Sequence, residues 1–118
     1  MSTNIVTQEI QSFGYAIKGF LTSVKRDRHF RFHVFASIVV IVAGFYFEVT
    51  KAEWLILIIC IAMVFAVELL NSAIETLTDI VSPEWNVHAG RVKDISAAAV
   101  LVCSIASAVI ALLVFVIK

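Results

Sequence analysis

The chain has 118 residues, 61% of them hydrophobic and 15% charged, with a formal net charge of zero and a mean hydropathy of +0.99. That composition excludes an ordinary soluble domain and points to an integral membrane protein. A balanced charge gives no electrostatic case for nucleic acid.

Along the chain, Ile10, Phe13, Ile17, Phe20, Leu21 and Val24 recur at helical spacing, with Gln11, Ser12, Lys18 and Thr22 opposite them. The pattern predicts an amphipathic helix over about residues 7–24. It either lies on the membrane surface or packs on the spans as a soluble-type helix. Residues 25–33 (KRDRHFRFH) form a charged connector. A basic run beside a membrane is commonly a topology signal, but Asp27 is an acid inside it and does not belong to that pattern.

Residues 32–47 carry no formal charge, though they include His33, and predict a first span within a helix of about residues 30–48. A second helix is expected over about residues 52–81, its uncharged part at 54–67 and its end at Ser82 and Pro83. Residues 82–93 read as a polar loop with Gly90 as its flexible point. Residues 95–117 are uncharged and long enough for a third span, capped by Asp94 or Ser96. In it Ala99, Cys103, Ser107 and Ala111 form a row of small residues, which favours close packing in a bundle or oligomer. Cys60 and Cys103 both fall within spans and read as small packing residues. No cleavable leader is expected. The expected fold is all-α: one membrane domain over residues 1–118, a surface helix followed by three transmembrane helices, assembled as an oligomeric helical bundle.

The charges orient this arrangement. Lys18, Lys25, Arg26, Arg28 and Arg31 precede the first span, Arg91 and Lys93 lie in the second loop, and only Lys118 follows the last span. The positive-inside rule then places the N-terminus in the cytoplasm and the C-terminus outside.

Four polar residues break the apolar pattern. Glu68, Asn71, Glu75 and Asp79 stand at offsets of 0, 3, 7 and 11, one narrow stripe of the second helix. Glu68 is fifteen residues beyond Glu53, roughly 22 Å along the helix axis, so the stripe emerges near the cytoplasmic edge of the hydrocarbon. Carboxylates at that depth are costly and default to function. Facing acids from elsewhere, Glu68 and Glu75 suit a hard divalent cation such as Mg2+, which takes carboxylate oxygens and keeps waters or phosphates. A carboxylate held among apolar side chains also suits a general base. Lys93, read as standing beside the N-terminus of the third transmembrane helix, would join a cation to free backbone N–H groups, a phosphate-binding combination. Together these features point to phosphoryl transfer at a membrane surface. No Gly-rich phosphate loop or kinase-type catalytic loop of the soluble folds is present.

The segment ELLNSAIETLTD from Glu68, followed after a short loop by GRVKDISAAAV from Gly90, resembles the signature of the small bacterial membrane lipid kinases. These form the prokaryotic diacylglycerol kinase and undecaprenol kinase family. The likeness runs over nearly the whole chain, from the surface helix through FRFH at the first span to the third span. It implies a homotrimeric enzyme of the bacterial inner membrane, with active sites at the cytoplasmic interface shared between subunits. By motif match, Glu68 would be the general base toward the lipid hydroxyl, and Asp27 and Glu75 would hold Mg2+. Lys93 and Asp94 would bind ATP, with Tyr15, Lys18, Asp79 and the stretch Glu84, Trp85 and Asn86 nearby, and Asn71 in support. The family commonly has Glu where this chain has Asp27, and no Arg precedes Lys18 here. The FRFH segment resembles the undecaprenol branch more than the enterobacterial diacylglycerol branch.

Two other readings fit the residues in part. In these the carboxylates line a cation or proton conduit, or seal helix contacts in a structural subunit. Lys93 and Asp94 discriminate, because a phosphate site needs them and an ion path does not.

Overall fold

The computed structural model describes residues 4–117; Lys118, counted above among the charges, lies outside them. Four helices and no strand occur among the described residues: α1 (Ile5–Arg26), α2 (Arg28–Tyr46), α3 (Lys51–Val81) and α4 (Val87–Phe115). The last three are long and apolar enough to cross a membrane. The chain is therefore an all-α membrane protein, as its composition implies.

One residue joins α1 to α2. Asp27 is extended, donates its backbone N–H to Ser23, and accepts the backbone N–H of His29 on its side chain at 2.9 Å. It thus closes one helix and caps the next. Arg31 reaches back and donates to the carbonyls of Val24 and Lys25 at 3.1 and 3.0 Å, which satisfies the open end of α1. The acid inside the basic run is the hinge pin of this corner.

At the opposite end, Glu48 takes a left-handed turn conformation (φ 51°) between α2 and α3. Gly44 there lies under the indole of Trp54, where an added Cβ would meet the ring at 2.5 Å. Thr50 and Glu53 form a reciprocal capping box that starts α3. The helix then runs 31 residues, roughly 46 Å against a hydrocarbon thickness of about 30 Å. About a third of it must project from the membrane, and its C-terminal third carries Asn71, Glu75 and Asp79, with Glu68 just before it.

The fourth helix begins earlier than expected. Its N-cap is Asn86, whose side chain accepts the backbone N–H of Ala89 at 2.9 Å, and not Asp94 or Ser96. The loop is only residues 82–86, and Gly90 lies inside the helix. Arg91, Lys93 and Asp94 therefore lie on the first turns of a helix and not in a loop.

Packing divides into two ends. Near the turn between α2 and α3, Val49, Leu57 and Val114 form a buried cluster with Val40, Trp54, Ile110 and Phe115 around it. At the Asp27 end, Phe30 is 0% exposed and meets Phe20 of α1 and Phe65 of α3 at ring-centroid distances of 5.0 and 5.4 Å. Each such aromatic pair adds on the order of 0.5–1.5 kcal/mol beyond its buried area. This cluster ties the surface helix to the spans. α3 and α4 make the most extensive helix pair. Most large apolar side chains of the spans remain on the outside of the single chain, available to lipid or to other subunits.

Candidate active site

The corner at Asp27 folds onto the polar stripe of α3. Glu68 is 2% exposed and Asn71 9%, while Glu75 and Asp79 stay exposed. Ser72, one turn beyond Glu68, donates its hydroxyl to Asp27 Oδ2 at 3.0 Å. The Asp27 carboxyl is also the hydrogen-bond neighbour of the Glu68 carboxyl. On the α2 side of Glu68, His33 Nε2 lies 3.6 Å from Oε2, beyond hydrogen-bonding length but within reach of a side-chain adjustment.

Burial pushes the Asp27 carboxyl up. The hydrogen bonds from Ser72 and from the backbone N–H groups of Phe30 and His29, with the Glu68 contact, outweigh that and hold it below its ordinary value of 3.8. Asp27 is therefore ionised at neutral pH.

Asp27 and Glu75 border one cleft of about 860 Å³ between α1 and α3, together with Arg26, Arg28, Ser72 and Thr76. Asn71 Nδ2 donates to Glu75 Oε1 at 3.1 Å, and Asn71 Oδ1 is buried without a partner in the chain. A buried acceptor left open marks a place for a donor or a cation. Two carboxylates bordering one cleft offer hard oxygen donors, a chemistry that fits Mg2+. No three His, Cys, Asp or Glu side chains converge as a closed metal site among the described residues. Asp27 and Glu75 alone would leave most positions on a bound cation to waters or phosphate oxygens.

The remaining expected residues lie elsewhere. Lys93 donates to Asp79 Oδ1 at 2.6 Å, an ion pair between α4 and α3 with both side chains well exposed. The expected meeting of Lys93 with free N–H groups is not found. α4 begins at Val87, six residues before Lys93, and Asn86 already caps it, so the partner of Lys93 is a carboxylate. Asn86 Nδ2 also donates to Ser82 Oγ at 2.6 Å, holding the loop that carries Glu84. Tyr15 is 73% exposed and Trp85 80%; these two, Lys18 and Asp94 stand outside the Asp27–Glu75 cleft.

The sequence profile of prokaryotic diacylglycerol kinase matches residues 14–115. The chain belongs to that family. Within the prokaryotic diacylglycerol kinase family it is 35% identical to the undecaprenol kinase of Bacillus subtilis (strain 168) over 112 residues, 95% of this chain and 91% of that one. It is 34% identical to the diacylglycerol kinase of Haemophilus influenzae over 85% of each chain. With the diacylglycerol kinase of Escherichia coli (strain K12) it shares 32% identity over 92% of this chain and 88% of that one. The family's enzymes are lipid kinases, phosphotransferases with an alcohol acceptor.

Sequence reasoning did not single out Ser72 or the approach of His33 to Glu68. Ser72 is four residues from Glu68 and shares its face, a signal present in the spacing. His33 is a titratable side chain inside an apolar span, which is itself a signal. What each one touches depends on how the corner folds.

Proposed function

We propose that the protein is a lipid kinase that transfers the γ-phosphoryl group of Mg·ATP to the hydroxyl of undecaprenol at the cytoplasmic face of the bacterial inner membrane. The observation that carries this reading is Glu68, covered by the chain and seated between Asp27 and His33. In the reaction, the lipid hydroxyl loses its proton to the Glu68 carboxylate as its oxygen attacks the γ-phosphorus. The phosphorus–oxygen bond to ADP breaks in line. Asp27 and Glu75 would hold Mg2+, which supplies charge to offset that of the phosphates. Asn71 supports the site by fixing Glu75. Lys93, Asp94 and Asp79 bind the nucleotide, with Tyr15, Lys18, Glu84, Trp85 and Asn86 around it.

The charge distribution supports a cytoplasmic N-terminus and an external C-terminus. The uncovered apolar faces of the spans support a homotrimer whose subunits complete one another's sites. The nucleotide set, spread in one chain beyond the Asp27–Glu75 cleft, is consistent with that sharing. Undecaprenol is favoured by FRFH and by the likeness to the Bacillus enzyme over 95% of this chain. Diacylglycerol is the second reading, carried by the names of the Haemophilus and Escherichia relatives. Both lipids present a primary hydroxyl.

The test is transfer of labelled γ-phosphate from ATP by the purified protein in mixed micelles, with each lipid in parallel and Mg2+ omitted as a control. Glu68→Gln should lose turnover by about 10²–10⁴ while retaining ATP binding. Turnover of Glu68→Gln at the wild-type rate would overturn the base assignment.

A further inference from the structure

Glu68 stands at the partition between two cavities of opposite character. On one side is the polar cleft between α1 and α3, of which Asp27 is a wall. On the other is an apolar crevice of about 280 Å³ enclosed by α2, α3 and α4. Its α3 wall is the row Leu57, Cys60 and Val64, and Glu68 is the next position of that row, one turn nearer the cytoplasm. Its α2 wall ends in Phe32 and His33, and the His33 ring lies 3.6 Å from the Glu68 carboxyl. Asp27 borders only the first cavity and His33 only the second, and Glu68 touches both residues.

We propose that His33 is the positioning residue on the acceptor side: it holds the Glu68 carboxyl at the mouth of the apolar crevice, where the hydroxyl of a polyprenyl alcohol stops while its chain runs down the crevice. This rests on the lipid-kinase reading and adds to it the side from which the acceptor arrives. A polar ring inside a membrane-spanning helix is costly unless it meets a polar partner, and Glu68 is the acid within its reach. Ser37 on the same wall donates its hydroxyl to the His33 carbonyl at 2.8 Å, so it leaves the wall apolar. A crevice of about 280 Å³ lies just below the roughly 300–1,000 Å³ of ordinary small-ligand sites. It admits one narrow hydrocarbon segment. A prenol has a single chain running directly from its carbinol carbon, whereas a diacylglycerol branches into two beside the hydroxyl. The phosphate donor then occupies the opposite side, against Asp27 and Glu75, and the two substrates meet across Glu68 without sharing a path.

The experiment compares His33→Leu, His33→Gln and Ser107→Leu with wild type, all as the full chain in mixed micelles. Steady-state constants for undecaprenol and for ATP are measured separately. His33→Leu should lower kcat/KM for undecaprenol on the order of 10- to 100-fold, the cost of a misplaced reacting group, with KM for ATP unchanged. His33→Gln keeps a side-chain N–H donor and should recover most of the loss. Ser107→Leu narrows the crevice far from Glu68 and should raise KM for undecaprenol alone. Wild-type constants in a folded His33→Leu would overturn the proposal, as would a loss confined to ATP. Should His33→Leu fail to fold, Ser107→Leu decides: a changed oligomeric state with an unchanged undecaprenol KM would make the crevice a seam between subunits and end the proposal. Absence of label from the wild-type protein in either lipid would instead refute the lipid-kinase reading itself.

Discussion

Substitutions at Asp27 separate two jobs that one carboxylate performs. Its Oδ1 caps α2 through the His29 N–H at 2.9 Å, and its Oδ2 accepts from Ser72 at 3.0 Å. Asn ranks with Asp as a helix cap and keeps one acceptor oxygen, so Asp27→Asn should leave stability within about 1 kcal/mol of wild type. Ala keeps neither contact. A lost cap costs about 0.5–2 kcal/mol and a lost hydrogen bond to a charged group about 1.5–3 kcal/mol. Because Asp27 is partly exposed, the low ends apply, and Asp27→Ala should cost about 2 kcal/mol. Catalysis follows a different order. Both variants remove the charge, and each should raise the Mg2+ concentration for half-maximal phosphoryl transfer by at least about 10-fold, since even groups that only hydrogen-bond to a metal's ligands are worth about 10–100-fold. Thermal unfolding in detergent, followed by circular dichroism, gives the first quantity and a Mg2+ titration of transfer the second. An Asp27→Ala protein as stable as wild type would refute the corner argument. An Asp27→Asn protein with wild-type Mg2+ dependence would refute the ligand assignment.

Gly44→Ala should destabilise the protein by about 1–3 kcal/mol through overpacking, because its Cβ would lie 2.5 Å from the Trp54 ring; an unchanged unfolding temperature would show that the indole yields freely. Lys93→Met should change stability by less than about 1 kcal/mol, as the Asp79 pair is exposed. It should also raise KM for ATP roughly 10-fold or more, the worth of a hydrogen bond to a charged group, and an unaltered KM would remove Lys93 from the nucleotide site. The pKa of Asp27 is depressed on folding, so its contribution to stability is complete above its ordinary value of 3.8 and is lost as pH falls through the lower folded value. The stability difference between wild type and Asp27→Asn should accordingly hold steady from neutrality to about pH 5 and shrink below pH 4; a difference that closes between pH 7 and 5 would contradict that sign.

The stripe on α3 was legible because it needs only helical periodicity, and Thr50, Ser82 and Pro83 mark the ends of that helix with local chemistry. The start of α4 departs from the sequence expectation for a physical reason. Charged residues near a membrane read as loop, yet a helix projecting into water carries charge as readily, and the deciding signal is Asn86 three residues before Ala89. The covering of Glu68 was not legible. It depends on Phe20, Phe30 and Phe65 drawing α1 against α3, a contact among residues far apart in sequence. Asp27 was singled out as a misfit acid and by family likeness, whereas its double service as cap and as neighbour of Glu68 required the fold.

The joint between α1 and α2 has no slack, since Asp27 alone closes one helix, opens the other and reaches Ser72. Insertion of one residue there would turn the carboxyl about 100° around the axis of α1 and carry it away from α3. Variation in chain length must therefore be absorbed elsewhere along the chain, and the spacing from the Phe20 anchor to the Phe30 anchor is a fixed ruler for any sequence that keeps this corner.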